Sequence, residues 1–586
     1  MQGGNYFNKD YIAQVRRNIQ QYDWAKKVVD QTIQKADQML EFTKSFWWTL
    51  PTPQEIPRSS IPCQANLGCP VCGEEVLLKY GSTGWIHLLK ENHWKSQCPN
   101  CKSIFPSNDF KSYYESGLDD RGIFHKDSAD PVFLVNTLYP DKGPDYFVDD
   151  GTGYVDKNGV RWSFIAQYNH YGVWVDIHNI GGTNNGLIIN GLKHLSEAYV
   201  YTGELKYALY ALMILYKVAM VYPDMDLNEY MRLPGRPYRN SDGFSLQGKI
   251  VGCIWETFTA RLFCYAADAV LPVLREYQEC VKEFLSELVP VDADTVLDTI
   301  VNGIVREVYV GIKNARIAGN EGMHQAALAI AAVCMGECDE SKEWLDFLFK
   351  PGKRVFEKDP VRSTDAYSTG CNVFGVLENK VNGNGLGDEC SPMYNRLWMV
   401  EFARLADILS AYPGITGTKY DLKTHPVMKK MYKSYVPLNL DNDFIPKTGD
   451  TGKTGNPMKI FDGDNLQKFL WQGYEATKDE GILDLFNLSY PQAKEGKFGY
   501  IDVEKPEEKA QLLQAAKDPN LPIHERSHNL TDYGDALLRQ RTRHGCNVHM
   551  YYGRTKGHGH LDKMNFEIIA HGMNFSPALG YPEYAE

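Results

Sequence analysis

Hydrophobic spacing changes character along this chain, and the change divides it into a helical body and a later sheet. From about residue 180, apolar residues recur at i, i+3 and i+4, the spacing of one helix face. The stretch NGLIINGLKHLSEAYVYTGELKYALYALMILYKVAMVYP predicts two helices meeting at Thr202-Gly203. GKIVGCIWETFTARLFCYAADAVLPVL, TVLDTIVNGIVREVYVGIKNAR, MHQAALAIAAVCMG, YNRLWMVEFARLADILSAYPG and HPVMKKMYKSYV continue the pattern. Helical pairs joined by short loops imply an α/α array, and the lack of a fixed-period motif argues against a regular solenoid. The expectation is an (α/α) toroid. After about residue 520, ALLRQRTRHGCNVHMYYGRT, KMNFEIIAHG and MNFSPALG alternate with period two and turn at glycines, which predicts strands. Three or four strands are few for a free-standing sheet, so the sheet domain is expected to be truncated at Glu586.

The N-terminal third reads differently. Residues 8–45 predict amphipathic helix running into the proline-rich stretch Leu50–Pro62. Residues 63–125 are short segments punctuated by Gly, Cys and Pro, the pattern of a small β-rich insert, and Asp150-Gly151 and Asn158-Gly159 are hairpin signals. The expected divisions are a helical segment 1–62, an insert 63–125, the toroid 126–515 and the start of an antiparallel sheet domain 516–586.

Within the insert, Cys69-x-x-Cys72 and Cys98-x-x-Cys101 are two knuckles with 25 residues between them. Four thiolates on two tight turns suit a tetrahedral zinc with no open position, which is a structural site. His87 and His93 lie between the knuckles and are read as non-ligands. Cys253, Cys264 and Cys334 sit in apolar helical patterns as small buried hydrophobes.

Composition narrows the partners. The net charge is -12, which offers nothing to a nucleic acid. No run of 18 apolar residues suggests a membrane span. The start, MQGGNYFNKDYIAQ, has no basic-then-apolar leader; a secreted or periplasmic protein whose signal is absent from this chain is the expectation. The 36 Tyr and 11 Trp include candidates for stacking on sugar rings.

The second local signal is Gly557-His558-Gly559-His560-Leu561-Asp562. Alternation puts His558 and His560 on one face of a strand or of the loop leading into it, where two imidazoles suit a metal or an anionic group. GHGHLDKMNFEIIAHGMNF resembles the signature of the heparinase II/III-like polysaccharide lyase superfamily, and the insert resembles its alginate lyase branch. GNEGMHQAALAIAAVCMG (319–336) is similar to that family's Asn/His helix start, and GDECSPMYNRLWMVEFARLADIL (387–409) to its D-G-S-x-x-E-x-S-x-x-Y stretch. FIPKTGDTG (444–452) is like a loop that recurs before its β domain. The resemblance covers about residues 180–586. It implies that Tyr394 is the catalytic tyrosine, His324 the toroid histidine and His558 the sheet-domain histidine. His560 falls where the family often has a zinc ligand, but SPALGY (576–581) lacks the aspartate that is usually a second ligand.

The chemistry so implied is β-elimination from a 4-linked uronate. The proton alpha to the carboxylate is lost only when donors offset the developing charge, while a base removes it and an acid protonates the leaving oxygen. Tyr394 is the expected acid, and also the base when both groups lie on the same face. His324 is the base for the opposite stereochemistry or a carboxylate donor, Asn320 a second donor on its helical face, and His558 completes the site. Substrate contacts are expected from Arg236, Tyr238 and Arg239 on one loop, and from Gln167, His170, Tyr171 and Trp174 ahead of the toroid; guanidinium groups match carboxylates. An anionic polysaccharide is the expected partner, alginate first and a heparin-type glycosaminoglycan second. A uronyl epimerase and a non-catalytic glycan-binding protein are the remaining alternatives.

Overall fold

The computed structural model describes residues 2–52, 56, 67–81, 84–120, 122–174, 186–225, 248–250, 254–356, 366–440, 444–452, 458–461, 466–516, 527–540, 545–571 and 573–580.

The helical body forms as the spacing predicts. Helices Leu187–Thr202 and Leu205–Val221 are joined at Gly203, whose φ of +77° closes the first helix; a left-handed cap at this position is what glycine supplies without strain. Helix Met323–Met335 is buried along nearly its whole length, with alanine at 326, 327, 329, 331 and 332. Small residues on every side let neighbours approach from two directions, and it packs against both Glu256–Val270 and Pro392–Ser410. The two flanking helices are also bridged directly, by the buried Arg261–Glu401 ion pair. Helices Gln278–Ser286, Asp339–Phe349, Val373–Lys380, Gln467–Thr477, Glu480–Ser489 and Pro506–Ala515 also belong to the described body; the spacing analysis does not single these out.

The N-terminal segment belongs to the same core. Its helices are Lys9–Gln21, capped by the Asn8 side chain, Asp23–Leu40 and Lys44–Thr49. Trp47 is fully buried and lies so close to helix Leu187–Thr202 that a Cβ on Gly191 would sit 2.6 Å from its Cη2. The N-terminal helices therefore share the core of the helical body. The insert shares Trp94, Phe110 and Phe124 with the main core and packs Val76, Trp85 and Phe105 in a second cluster with Phe147, Trp162 and Phe164. It carries a three-stranded antiparallel sheet of Ile86–His87, Ser96–Gln97 and Ile104–Phe105. Asn158-Gly159 turns the hairpin between Tyr154–Val155 and Arg161–Trp162.

The C-terminal strands form a five-stranded antiparallel meander, His528–Leu530, Asp535–Arg539, Asn547–Tyr551, Phe566–Ala570 and Met573–Asn574, each beside its chain neighbour. Burial alternates along Asn547–Tyr551, as expected for one face on the core and one toward solvent. The sheet is fastened to the helical body by Arg539, which donates to the carbonyls of Pro437 and Asn439, and by the Tyr533 hydroxyl on the carbonyl of Cys390.

The stretch Glu256–Glu276 is long and apolar enough to cross a membrane by length and composition, but 78% of its most apolar window is buried inside the body. Arg261 and Asp268 interrupt it, consistent with a core helix held by polar partners. Cys264 and Cys334 are fully buried, and burial pushes both thiols up from the ordinary range; Cys253 lies outside the described residues.

Candidate active site and thiolate cluster

The helix carrying Tyr394 begins at Pro392, where proline's fixed φ suits the first turn and Ser391 accepts from the Tyr394 amide at 3.4 Å. Ser391 also meets Thr451 Oγ1 at 2.7 Å and donates to the Asp450 carbonyl at 3.0 Å. One serine thus anchors the loop 444–452 against the helix start. The GHGH segment does not sit on a strand; it is the loop between Asn547–Tyr551 and Phe566–Ala570. His558 has a φ of +56°, so strand alternation does not decide where its ring points.

The ring rests on Tyr394, with centroids 3.4 Å apart and planes within 7°. His558 Nδ1 is 3.1 Å from Glu389 Oε2, and His560 Nε2 is 2.9 Å from Asp450 Oδ1. His558 and His560 are therefore each met by a carboxylate from the helical side. Further bonds fix the loop: Cys390 N–H donates to the Gly557 carbonyl at 2.9 Å, and Asp450 N–H to the His558 carbonyl at 3.0 Å. Asp388 pairs with Lys556 and with Arg554. The sequence reading missed Glu389 and Asp450, because nothing in local spacing indicates a partner 169 or 110 residues away.

His324 and Asn320 stand at the start of helix Met323–Met335. That start packs on the third turn of the Tyr394 helix: a Cβ on Gly322 would lie 2.7 Å from Glu401 Cβ. Seven residues of helix rise separate Tyr394 from Glu401, about 10 Å. Burial pushes the His324 pKa down to about 4, with Glu321 opposing and Arg354 reinforcing the shift. The ring is thus neutral at pH 7, and its Nδ1 is buried without a hydrogen-bond partner.

The other expected contacts fare differently. Gln167, at the end of helix Phe164–Gln167, and His170 and Trp174, in the helical stretch Tyr168–Trp174, are 1%, 0% and 0% exposed and lie in the interior. Trp174 Nε1 donates to Thr52 at 3.4 Å. Tyr171 is half-buried with its ring 4.6 Å from that of His170. Arg236, Tyr238 and Arg239 lie outside the described residues.

In the insert, the four cysteine sulfurs lie within 4.8 Å of one another. Cys69 Sγ is 3.7 Å from Cys101 Sγ, and Cys72 Sγ is 3.7 Å from Cys98 Sγ. These separations are far beyond a disulfide's roughly 2.05 Å. They match the edge of about 3.8 Å of a tetrahedron whose metal–sulfur bonds are about 2.3 Å. Each knuckle turns tightly: Gly73 N–H donates to the Cys69 carbonyl at 2.8 Å, and Lys102 N–H to the Cys98 carbonyl at 3.0 Å. The donor set fits a structural thiolate-bound metal. His87 bonds Ser96 at 2.8 Å and His93 bonds Tyr168 at 2.7 Å, so neither belongs to the cluster. Among the described residues no third ligand joins His560 and Asp450, and the second metal site expected there does not form as a cluster.

No protein-family profile matches the chain, and no curated protein gives a significant match. Solved structures do. The chain is similar to a mutant of the heparan sulfate lyase HepC from Pedobacter heparinus, with 14% identity over 74% of this chain and 54% of that one, at a TM-score of 0.39. A structure of Heparinase III gives 13% identity over 80% and 58% of the two chains, at a TM-score of 0.37. The Heparinase III-BT4657 gene product gives 14% over 72% and 56%, at 0.38. The chain thus spans little more than half the length of these solved structures, and its structural neighbours are heparinase III and heparan sulfate lyase.

Proposed function

We propose that this protein is a polysaccharide lyase that cuts a 4-linked uronic-acid polymer by β-elimination, at the junction of the helical body and the sheet. The observation that carries the reading is the stack of His558 on Tyr394 at 3.4 Å. It brings an imidazole from one domain and a phenol from the other to one place, the two group types that elimination needs for proton transfer. Clefts commonly form at such domain junctions. In the reaction the C–H bond alpha to the carboxylate breaks, its electron pair forms the double bond, and the bond to the leaving oxygen breaks with that oxygen taking a proton. Where both groups lie on the same face, Tyr394 takes the alpha proton as base and returns it to the leaving oxygen as acid; where they lie on opposite faces, His324 takes the alpha proton and the Tyr394 hydroxyl supplies the other. Neutral His324 and Asn320 take the carboxylate side, where donors stabilise the enolate-like charge.

The substrate is a polyuronate. Alginate and a heparan-type glycosaminoglycan, the substrate named for the similar structures, stand level here, since both present a 4-linked uronate. The metal of the four-thiolate cluster is zinc, for which an all-sulfur tetrahedral site is usual; bound there it fixes the insert and takes no part in the reaction. Action on such polymers accords with a secreted or periplasmic protein.

The test is to run alginate, heparan sulfate or heparin, and chondroitin in parallel and follow the new ultraviolet absorbance of unsaturated uronate ends. Absorbance with one polymer names the substrate class. Solvent deuterium exchanged into intact uronate without new absorbance identifies an epimerase. Binding with neither signal identifies a glycan-binding protein, and either result overturns the lyase reading.

A further inference from the structure

The loop carrying His558 is built around one carboxylate. Gly557 has a φ of +21°, and a Cβ there would fall 2.1 Å from Glu389 Oε2. The carboxylate occupies the space a side chain would take, so the glycine lets Glu389 approach. Glu389 and His558 are largely shielded, with side chains 15% and 31% exposed. The neighbouring residue, Cys390, receives the Lys556 amide on its sulfur at 2.9 Å and donates its own N–H to Gly557. Glu389 is thus locked to the loop through the adjacent backbone.

An ionised carboxylate only accepts hydrogen bonds, so the nitrogen facing it carries the proton. One face of the imidazole lies on Tyr394 and its Nδ1 edge lies on Glu389. Nε2 is the ring nitrogen left to face a ligand, whether the ring is neutral or charged. The other charged groups nearby are engaged elsewhere: Asp388 with Lys556 and Arg554, and Asp450 with His560.

We propose that Glu389 is a positioning residue, whose carboxylate holds His558 through Nδ1 and so presents Nε2 to the reacting uronate. This rests on the lyase reading for its kinetic consequence, but not for its geometry. A carboxylate that fixes the tautomer and direction of an imidazole is a known way to make one ring nitrogen the working one. Glu389→Gln keeps the shape of the side chain but allows its amide to donate, which releases the tautomer.

The test joins a spectroscopic and a kinetic readout. In protein labelled with 15N-histidine, with the His558 signals identified by their loss in His558→Gln, the neutral ring is expected as the Nδ1–H tautomer. In Glu389→Gln it shifts toward Nε2–H, while circular dichroism and melting temperature stay near those of the wild type. On the polymer that the wild type cleaves, Glu389→Gln is expected to lower kcat about tenfold or more with KM within about twofold. In a His558→Ala background the same change should have no further effect, which a merely structural role would not produce. An Nε2–H tautomer in the wild type, or full loss from Glu389→Gln on top of His558→Ala, overturns the proposal. A wild type with the Nδ1–H tautomer that cleaves no polyuronate overturns the lyase reading and leaves the tether supported.

Discussion

His549 Nε2 lies 2.7 Å from Asp535 Oδ2 in the interior of the C-terminal sheet, with His549 3% and Asp535 0% exposed. Glu567 stands on the other side of the ring at 3.6 Å from Nδ1, close for a charge and long for a hydrogen bond. Burial alone pushes the His549 pKa down, but Asp535, with Glu567, outweighs it and raises the value to about 9. Glu567 in turn receives the Lys447 amide at 3.0 Å and Asn574 Nδ2 at 2.8 Å, so this charge cluster ties four strands of the sheet to the loop 444–452.

A pH dependence follows with a definite sign. The folded pKa is raised above the unfolded value of about 6.5, so the stabilisation is complete below about pH 6.5 and is lost as pH rises through about 9. Its size is on the order of 3 kcal/mol. Melting temperature measured from pH 6 to 10 should fall in this window for the wild type and fall less for His549→Gln. Equal slopes in both proteins would mean that His549 is neutral in the folded sheet.

The Arg261–Glu401 pair joins two helices that flank Met323–Met335. Burial opposes the Glu401 charge, but Arg261 and then Arg404 hold its carboxyl below the usual range. Arg261→Met leaves that charge with Arg404 alone, whose Nε is 3.4 Å from Glu401 Oε1. Removing one partner of a buried pair costs about 3–5 kcal/mol; the remaining arginine should bring the loss to the lower end. Glu401→Gln added to Arg261→Met should restore part of the stability, as denaturant unfolding would show. Additive losses would place the effect in packing rather than charge.

The thiolate cluster predicts about one zinc per chain, with cobalt substitution giving the intense thiolate charge-transfer bands of an all-sulfur tetrahedral site. Cys98→Ser should lose the metal and lower the stability of the insert, since binding free energy at such sites is folding free energy. Activity per folded molecule should change much less. Metal analysis and thermal unfolding check this, and a metal-free protein as stable as the loaded one would remove the structural role.

How much of this was legible in the sequence depends on whether the signal was local. The turn at Gly203 and the two Cys knuckles are local patterns, where a few residues determine the geometry. The period-two segments likewise became the sheet, because alternation reflects one buried face. For the GHGH segment the spacing allows a strand or the loop leading into it; the segment is that loop, and alternation cannot foresee the positive φ of His558. Glu389 and Asp450 were missed although both lie in segments singled out for other residues, since their partners come from another domain. Gln167, His170 and Trp174 are expected as substrate contacts, and all three are buried; a polar residue in an aromatic run is compatible with either placement until the packing is known.

Tyr394→Phe is the sharpest test of the function. It removes one hydroxyl and keeps the ring, so the stack with His558 at 3.4 Å and the Ser391 cap on the same helix should both survive, and the melting temperature should stay close to that of the wild type. If the phenol delivers the proton to the leaving oxygen, kcat should fall by about a hundredfold or more, the usual worth of a positioned acid. KM should change far less, because the lost interaction belongs to the transition state. Residues that act as a unit are not additive, so His558→Ala combined with Tyr394→Phe should cost little more than the larger single loss. Steady-state rates from the ultraviolet assay give all three numbers. A folded Tyr394→Phe protein that forms unsaturated ends at the wild-type rate would take the acid role away from this residue, and a strictly additive double variant would separate the two rings that the stack brings together.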